Sequence, residues 1–274
     1  MIVPRRWQAA LAVVLAVAGC GAGSTTHDGA RSTTSKAVIV RSAPPVRKTQ
    51  PAAPVSRRAV PTSAPVAQPV PPVSAAARAA GLLDVRTAVP DAIIDLRYAT
   101  RHNFTGVRLY PIGARCLVHK SMARGLRTAA ARLRRHGDIL VFWDCYRPHA
   151  VQVRMFRIVP DPAWVARPGP YARSHEAARS VDVTLARAST RARCPAAYRV
   201  QRHCLLAMGT GFDDFTPRAY ALATRGVRLT AQQNRATLRR AMRSGGLDVY
   251  VGEWWHFDGP GALVPRPQLH VPLS

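Results

Sequence analysis

Apolar residues recur every three to four positions in three stretches of the chain, a period that predicts amphipathic helices. The first stretch is 121–136, and four of its apolar side chains share one helical face: Met122, Leu126, Ala129 and Leu133. The second covers 147–159. The third begins at a predicted capping box from Thr230 to Gln233 and ends at the glycine pair 245–246.

Shorter stretches follow a different pattern, which predicts strands. SVDVTL (180–185) alternates apolar and polar residues, so Val181, Val183 and Leu185 share one face while Asp182 points the other way. An aspartate on a half-exposed strand is usually solvated, and this ordinary role is the alternative to a functional one. The apolar runs at 91–100, 138–146 and 247–257 predict further strands. Because strands and helices are mixed without a regular βαβ order, the predicted fold class is α+β with a mainly antiparallel sheet.

The first twenty residues have the pattern of an export signal. Two arginines precede an apolar run at 9–19, which is too short to span a bilayer and fits a secretory signal. The run ends in VAGC (17–20), which resembles the bacterial lipoprotein box and predicts cleavage before a lipidated Cys20. An ordinary signal peptide with an incidental cysteine remains open. Both alternatives predict an exported protein of the cell envelope and exclude nucleic acid as its partner.

Composition separates a tether from a globular domain. Residues 21–80 are rich in Pro, Ala, Ser, Thr and Val without apolar periodicity, which predicts a disordered, semi-stiff linker before a domain at 81–274. The formal net charge of the chain is +26, carried mostly by arginine. A GC-rich genome would produce this composition, and attraction to a polyanion would use it. For an exported protein the candidate polyanions are the anionic membrane surface and acidic cell-wall polymers.

Cysteine usage agrees with an exported domain. Four cysteines follow Cys20: Cys116, Cys145, Cys194 and Cys204. No CxxC spacing occurs, so a structural zinc knuckle is not predicted. Four cysteines in an exported domain most often form two disulfides, and three pairings are possible. We favour Cys194–Cys204, which would close a short polar loop, together with Cys116–Cys145.

His175 and Asp182 are candidate metal ligands, because a turn after the histidine would let both side chains face one point. Histidine nitrogen and carboxylate oxygen both bind zinc, and His256 can supply a third ligand that leaves a fourth position open for water. Glu253, three residues earlier, is the candidate general base. Residues i and i+3 of a straight strand face opposite sides, so we expect the strand to end or twist at the intervening tryptophans.

Five stretches, taken in order, resemble the zinc D-alanyl-D-alanine dipeptidases, the vancomycin-resistance type and its chromosomal relatives. They are DLRYATRHNFTG (95–106), VFWDCYRPHAVQ (141–152), SHEAARSVDVTL (174–185), MGTGFDDF (208–215) and EWWHF (253–257). The resemblance covers most of 81–274 and none of the first 80 residues. It implies a small α+β domain whose central, mainly antiparallel sheet is flanked by helices.

The resemblance also implies an activity and its residues. It implies zinc-dependent hydrolysis of D-alanyl-D-alanine, or of a related small D,D-dipeptide, in peptidoglycan metabolism. One zinc ion per domain would be bound by His175, Asp182 and His256. Glu253 would be the general base, and Arg147 would steady the substrate carbonyl and the tetrahedral intermediate. Asp213, in MGTGFDDF, is the candidate contact for the substrate's ammonium group.

Three residues depart from the family pattern, which usually reads Ser-x-His-x-x-Gly-x-Ala-x-Asp. Arg173 stands at the Ser position, Ala178 at the Gly and Ser180 at the Ala. A glycine is favoured at position 178 if the turn needs a positive φ. The departures leave two alternatives open. One is a D,D-carboxypeptidase or other wall peptidase with the same zinc centre, and the other is a non-catalytic wall-binding lipoprotein that retains the fold.

Overall fold

The computed structural model describes residues 69–274, and the structural statements below refer to these residues. The predicted signal peptide, the lipidation site Cys20 and most of the predicted linker lie outside them. The described chain forms four α-helices: α1 (Ala75–Ala79), α2 (Ala123–Arg134), α3 (His149–Ile158) and α4 (Leu229–Ser244). Its strands are β1 (Leu82–Asp84), β2 (Ile93–Ile94), β3 (Leu117–His119), β4 (Asp138–Asp144), β5 (Ser180–Arg187), β6 (Arg199–Val200), β7 (His203–Cys204), β8 (Asp248–Val249) and β9 (His256–Asp258).

A five-stranded sheet carries the site described below. Its strand order is β2-β4-β5-β9-β8, and β2 runs parallel to β4 while every other pair is antiparallel. The pairs β1–β3 and β6–β7 form two smaller antiparallel sheets. The predicted α+β class with a mainly antiparallel sheet is confirmed.

The two central strands are buried on both faces. Every residue of β4 is buried, and in β5 only Arg187 is exposed. The alternative of an ordinary solvated Asp182 on a half-exposed strand is therefore wrong. Alternation along 180–185 separates apolar from polar side chains, but the polar face is covered by the rest of the domain. A buried carboxylate needs charged or hydrogen-bonding partners, and Asp182 has them.

The folded domain begins before residue 81. The sequence predicts a linker up to residue 80, but α1 lies within it and packs against β1. The hydroxyl of Ser74 accepts a hydrogen bond from the Ala77 backbone N–H (3.1 Å), which caps the helix, and Val73 and Ala77 are buried in the core. Short alanine-rich stretches bury little surface, so composition alone did not distinguish this helix from the linker.

Helix α2 buries the face predicted for it, including Leu126 and Leu133. Helix α4 ends at the predicted glycine pair, but its predicted capping box is wrong. The helix begins at Leu229, so Thr230 already lies inside the first turn, and no side chain caps the helix. None of the helices in residues 69–274 is long and apolar enough to cross a membrane.

The stretch 247–257 forms a hairpin. Strand β8 ends at Val249 and β9 starts at His256, so Glu253 lies in the connection between two antiparallel strands. The predicted interruption of the strand at the tryptophans is confirmed. Trp254 and Trp255 are buried, with 2% and 1% of their surface exposed, and pack edge to face against each other. The aromatic pair is therefore part of the core.

Two disulfides are present, Cys116–Cys145 and Cys194–Cys204, the pairs that the sequence favoured. Cys145 directly follows β4, and Cys116 directly precedes β3. The first disulfide therefore ties the end of a central strand to a neighbouring sheet. The carbonyl of Cys145 contacts His175, so this covalent link lies next to the site.

Candidate active site

Strand register brings the candidate ligands together. Asp144 at the end of β4 lies opposite Asp182 on β5, and Asp182 lies opposite His256 on β9. Directly opposed residues of antiparallel strands project to the same face. His175 reaches the same point from a turn of 3-10 helix, Ser174–Ala177, that leads into β5.

The three candidate ligands place one atom each around a single point. The distances are 3.1 Å from His175 Nε2 to His256 Nδ1, 3.3 Å from His175 Nε2 to Asp182 Oδ1, and 3.0 Å from His256 Nδ1 to Asp182 Oδ1. A tetrahedral ion with bonds of about 2.0–2.1 Å separates its ligands by roughly 3.3 Å. The spacing and the donor types therefore fit a metal ion such as zinc.

Both imidazoles are oriented by hydrogen bonds at their other nitrogen. His175 Nδ1 lies 2.8 Å from the carbonyl of Cys145, and His256 Nε2 lies 3.1 Å from Asp258 Oδ1. Because both acceptors need an N–H group, each ring carries its proton at that nitrogen. In the neutral imidazoles, His175 Nε2 and His256 Nδ1 then each have a free electron pair that can bind a metal ion. Metal-ligating histidines are usually oriented in this way. Partners on both histidines thus support the fit to a metal.

The turn that carries His175 uses left-handed backbone. Ala178 has φ +56°, so this position does need the conformation that glycine adopts most easily. The Ala178 N–H donates to the His175 carbonyl (2.9 Å), and the Ala178 carbonyl accepts from the His119 N–H (2.8 Å). The alanine that replaces glycine therefore keeps the turn.

Glu253 reaches the metal-binding point from the hairpin. Its Oε2 lies 3.9 Å from His256 Nδ1, close enough for a water molecule to lie between the carboxylate and a metal ion. Burial raises the pKa of Glu253, although the nearby histidines oppose the shift. A carboxyl group with a raised pKa exchanges protons more readily near neutral pH. The position suits a general base.

Arg147 lies two residues before α3, and its guanidinium is anchored by Asp144. Its Nε and Nη2 donate to Asp144 Oδ2 at 3.0 and 2.6 Å, and its Nη1 donates to Gln152 Oε1 at 2.9 Å. The guanidinium also lies over the ring of Tyr98, 5.2 Å from its centre. An arginine held on several sides presents a fixed positive charge to the cavity, as stabilisation of a developing oxyanion requires.

Asp213 faces the same cavity from the loop after β7. Its carboxylate accepts a hydrogen bond from the Tyr98 hydroxyl (3.1 Å). Burial raises the pKa of Asp213 well above its ordinary value, and the charges of Asp182 and Glu253 add to the shift. An arriving ammonium group would offset this negative charge. The location agrees with the ammonium contact expected of Asp213.

A cavity of about 500 Å³ contains all six of these side chains. Its wall includes Arg147, His175, Asp182, Asp213, Glu253 and His256. The segment 162–173 forms another part of the wall, where Trp164 stacks on Phe215 with ring centres 4.8 Å apart. The structure therefore brings every candidate catalytic, metal and substrate residue to one cavity.

Sequence reasoning missed several residues that hold the site. Asp144 anchors Arg147, Tyr98 contacts Asp213, and Asp258 orients His256. The buried Arg235 donates to the carbonyls of Met208, Arg218 and Tyr220, which border the loop carrying Asp213. Asp144 and Tyr98 lie in quoted motifs and could have been singled out there. Arg235 lies on α4 in a chain rich in arginine, so nothing in the sequence distinguishes it.

An α+β domain with two imidazoles and a carboxylate around one point, and a second carboxylate beside them, has the centre of a single-metal peptidase. The profile of the Peptidase_M15 family, described as D-ala-D-ala dipeptidase, matches residues 78–274. The chain belongs to this family, and it is a metallopeptidase of the dipeptidase type.

Two bacterial relatives are similar over most of their length. The chain is 33% identical over 181 residues to a D-alanyl-D-alanine dipeptidase of Escherichia coli, covering 66% of this chain and 86% of the relative. It is 31% identical over 182 residues to a D-alanyl-D-alanine dipeptidase of Enterococcus faecalis, covering 60% of this chain and 83% of the relative.

Proposed function

We propose that this protein hydrolyses D-alanyl-D-alanine, or a related small D,D-dipeptide, with one zinc ion per domain, in peptidoglycan metabolism. The observation that carries the proposal is the convergence of His175 Nε2, Asp182 Oδ1 and His256 Nδ1, with the Glu253 carboxylate beside them. Family membership and the two dipeptidase relatives support the same activity.

Each residue has one role in the proposal. His175, Asp182 and His256 hold the zinc ion, which when bound supplies Lewis acidity that polarises a carbonyl and lowers the pKa of water to about 7. Glu253 accepts the proton of the attacking water and delivers it to the leaving amine. Arg147 stabilises the oxyanion of the tetrahedral intermediate. Asp213 receives the free ammonium group of the dipeptide.

The roles of zinc and Glu253 are tested by loading the purified protein with zinc and measuring release of D-alanine from D-alanyl-D-alanine. We expect Glu253→Ala to lower kcat by at least about a hundredfold, the lower range for general acid–base catalysis. Its zinc content should stay at one ion per chain. Glu176→Ala is the matched control, because Glu176 also lines the cavity but contacts His149. Undiminished hydrolysis by Glu253→Ala would contradict the mechanism.

A D,D-carboxypeptidase is the second candidate function. A cavity of about 500 Å³ falls within the range of pockets that bind drug-sized ligands, so it has room for more than a dipeptide. Comparing kcat/KM for the free dipeptide with that for a stem peptide ending in D-alanyl-D-alanine separates the two activities. Faster cleavage of the stem peptide would favour the carboxypeptidase.

A third alternative is a wall-binding lipoprotein without catalysis. It predicts that the purified protein holds no stoichiometric zinc, whereas the set of candidate ligands here is complete.

Export and lipid anchoring at Cys20 are part of the proposal and rest on the sequence of residues 1–20. The expected location is the outer side of the cytoplasmic membrane, in the cell envelope. Labelling of cells with a radioactive fatty acid should mark the wild-type protein, and Cys20→Ala should remove the label. Labelling that persists in Cys20→Ala would contradict lipidation at this residue.

The basic surface is proposed to rest on anionic membrane lipid or cell-wall polymer. Helices α2 and α4 pack together and contain no acidic residue. Besides Arg134, which pairs with Asp91, five exposed arginines lie in these helices or directly after α2: Arg124, Arg127, Arg135, Arg240 and Arg243. Binding to vesicles containing phosphatidylglycerol, or to purified wall polymer, should weaken steeply with added salt. Replacing these five arginines by glutamine should abolish it, and binding that persists would contradict the assignment.

A further inference from the structure

The wall of the active-site cavity contains a positive charge that the proposed chemistry does not use. Three arginines line the cavity: Arg147, Arg167 and Arg173. Arg147 is held by two hydrogen bonds to Asp144 and already serves the oxyanion in the proposed chemistry. Arg167 lies over the ring of Phe156, 5.4 Å from its centre. Arg173 is exposed and forms no ion pair within residues 69–274, although it stands two residues before the metal ligand His175.

The backbone around Arg173 is held firmly in place. Ala172 exchanges two backbone hydrogen bonds with Arg266, at 2.8 and 3.1 Å, and the Ser174 N–H donates to the Ala262 carbonyl at 2.8 Å. The Arg173 carbonyl accepts from the Ala177 N–H. Arg173 itself is extended, with φ −141° and ψ 168°. Alternate residues of extended backbone face opposite sides, so the buried Ala172 and the exposed Arg173 point in opposite directions.

The neighbour of Arg173 lies next to the metal ligands. The hydroxyl of Ser174 is 3.4 Å from His256 Nε2. The backbone of Arg173 is fixed one residue before Ser174. Its side chain can therefore reach a substrate group close to the cleaved bond. Its planar guanidinium matches a carboxylate with two parallel hydrogen bonds.

The other charges of the cavity define what Arg173 would meet. Asp213 lines the cavity, and its carboxylate accepts a hydrogen bond from the Tyr98 hydroxyl, so this part of the wall favours a positive partner. A free dipeptide carries an ammonium group at one end and a carboxylate at the other. If the ammonium group faces Asp213, the carboxylate requires a cation elsewhere on the wall.

We propose that Arg173 binds the free C-terminal carboxylate of the substrate. It would make this protein selective for peptides in which a single residue with a free carboxylate follows the cleaved bond. The inference rests on the proposed function, because it uses the same cavity and the same orientation of the dipeptide. It concerns a residue at which this chain departs from the usual family pattern, where serine stands. The serine hydroxyl is shorter and uncharged, so the arginine adds a charge-assisted contact.

The test compares D-alanyl-D-alanine with its C-terminal amide, which lacks the negative charge. For wild-type protein we expect kcat/KM to be at least about tenfold higher for the acid than for the amide, the lower range for a charge-assisted contact. Arg173→Ser should remove most of this preference by raising KM for the acid, with kcat changed by less than about threefold. Arg173→Lys should restore part of the preference, because it restores the charge without the planar geometry.

The matched control is Arg154→Ser, an exposed arginine on α3 that does not line the cavity. It should keep the full preference for the acid. An acid-to-amide ratio that is the same in wild type and Arg173→Ser overturns the inference. A change in kcat alone, with KM and the ratio unaltered, also overturns it, because it would assign Arg173 to the chemical step.

A binding measurement distinguishes failure of this inference from failure of the proposed function. Zinc-loaded Glu253→Ala protein should bind the acid more tightly than the amide by calorimetry, and adding Arg173→Ser should abolish the difference. If the wild type binds the acid selectively but does not hydrolyse it, the proposed activity fails while the role of Arg173 stands. If neither compound binds, or both bind equally, the role of Arg173 is overturned.

Discussion

His256 Nε2 donates a hydrogen bond to Asp258 Oδ1 over 3.1 Å, from the ring atom opposite the one that faces His175 and Asp182. The same Asp258 oxygen accepts a hydrogen bond from the fully buried hydroxyl of Ser180. A carboxylate on the outer nitrogen of a metal-binding histidine fixes its tautomer and raises its basicity. Ser180, which stands where alanine is usual, therefore supports the proposed metal ligand His256 through Asp258.

This arrangement predicts that both outer residues tune metal affinity. Asp258→Ala should weaken zinc binding by about 10–100-fold, the range for loss of a carboxylate behind a ligating histidine. Ser180→Ala should have a smaller effect, about threefold to tenfold, because Asp258 itself remains. Affinity can be measured by competition with a chromogenic zinc chelator. Thr184→Val is the control, a buried hydroxyl on the same strand, and unchanged affinity in Asp258→Ala would refute the prediction.

Zinc affinity should also depend on pH. Burial lowers the pKa of His256, but hydrogen bonds to Asp182 and Asp258 outweigh it and raise the pKa to about 10. Below that pH the metal-free cluster holds a proton that zinc must displace. Apparent affinity should therefore rise with pH, by up to about tenfold per unit for one released proton. Chelator competition at about pH 6 and about pH 8 checks this, and equal affinities would contradict it.

The left-handed turn at Ala178 predicts that two substitutions differ in their effect on the free energy of unfolding. Ala178→Gly relieves about 1–2 kcal/mol of backbone strain and loses about 0.8 kcal/mol of buried methyl. The free energy of unfolding should therefore change by less than about 1.5 kcal/mol, with zinc affinity kept. Ala178→Val places a branched side chain at a positive φ and should cost more than about 2 kcal/mol. Urea unfolding measures both, and equal stability of the two variants would speak against the turn.

Close contact between α2 and α4 predicts a sensitive glycine. A Cβ at Gly125 would lie 2.3 Å from the Gly245 carbonyl oxygen, which is backbone and cannot move aside easily. Alanine is intrinsically better than glycine in a helix by about 1 kcal/mol, yet Gly125→Ala should lower the free energy of unfolding by about 1–3 kcal/mol. Gly169→Ala, with no atom within 4 Å, is the control. Greater stability of Gly125→Ala in thermal unfolding would show that the helices can separate at no cost.

Much of the fold could be predicted from patterns within a few residues of one another. The apolar face of α2 and the continuous apolar run of β4 repeat at the periods of helix and strand, so burial follows from spacing. Short elements escaped this reasoning. Helix α1 has only five residues, and its alanines differ little from the linker before it. The burial of Asp182 could not be predicted either, because alternation along one strand does not show what covers the polar face.

The candidate ligands and base could be selected by residue type and by resemblance, but the contacts that orient them could not. Ser180 and Asp258 are 78 residues apart in the chain, and Tyr98 and Asp213 are 115 apart. Such pairs meet only because β5 and β9 are neighbours or because loops from distant elements close over one cavity. No local pattern carries that information.

The amino-acid sequence specifies the chemistry available to this protein: two histidines, three carboxylates and an arginine in ordered motifs, on helices and strands predicted by apolar periodicity. Which of these atoms converge depends on the folded chain. Strand register placed Asp182 beside His256, and the hairpin turned Glu253 toward them. Asp144 anchored Arg147, while Arg173 stayed exposed at the cavity wall. The physical reason is that residue type and local spacing act along the chain, whereas coordination, pKa and charge pairing depend on distances in space.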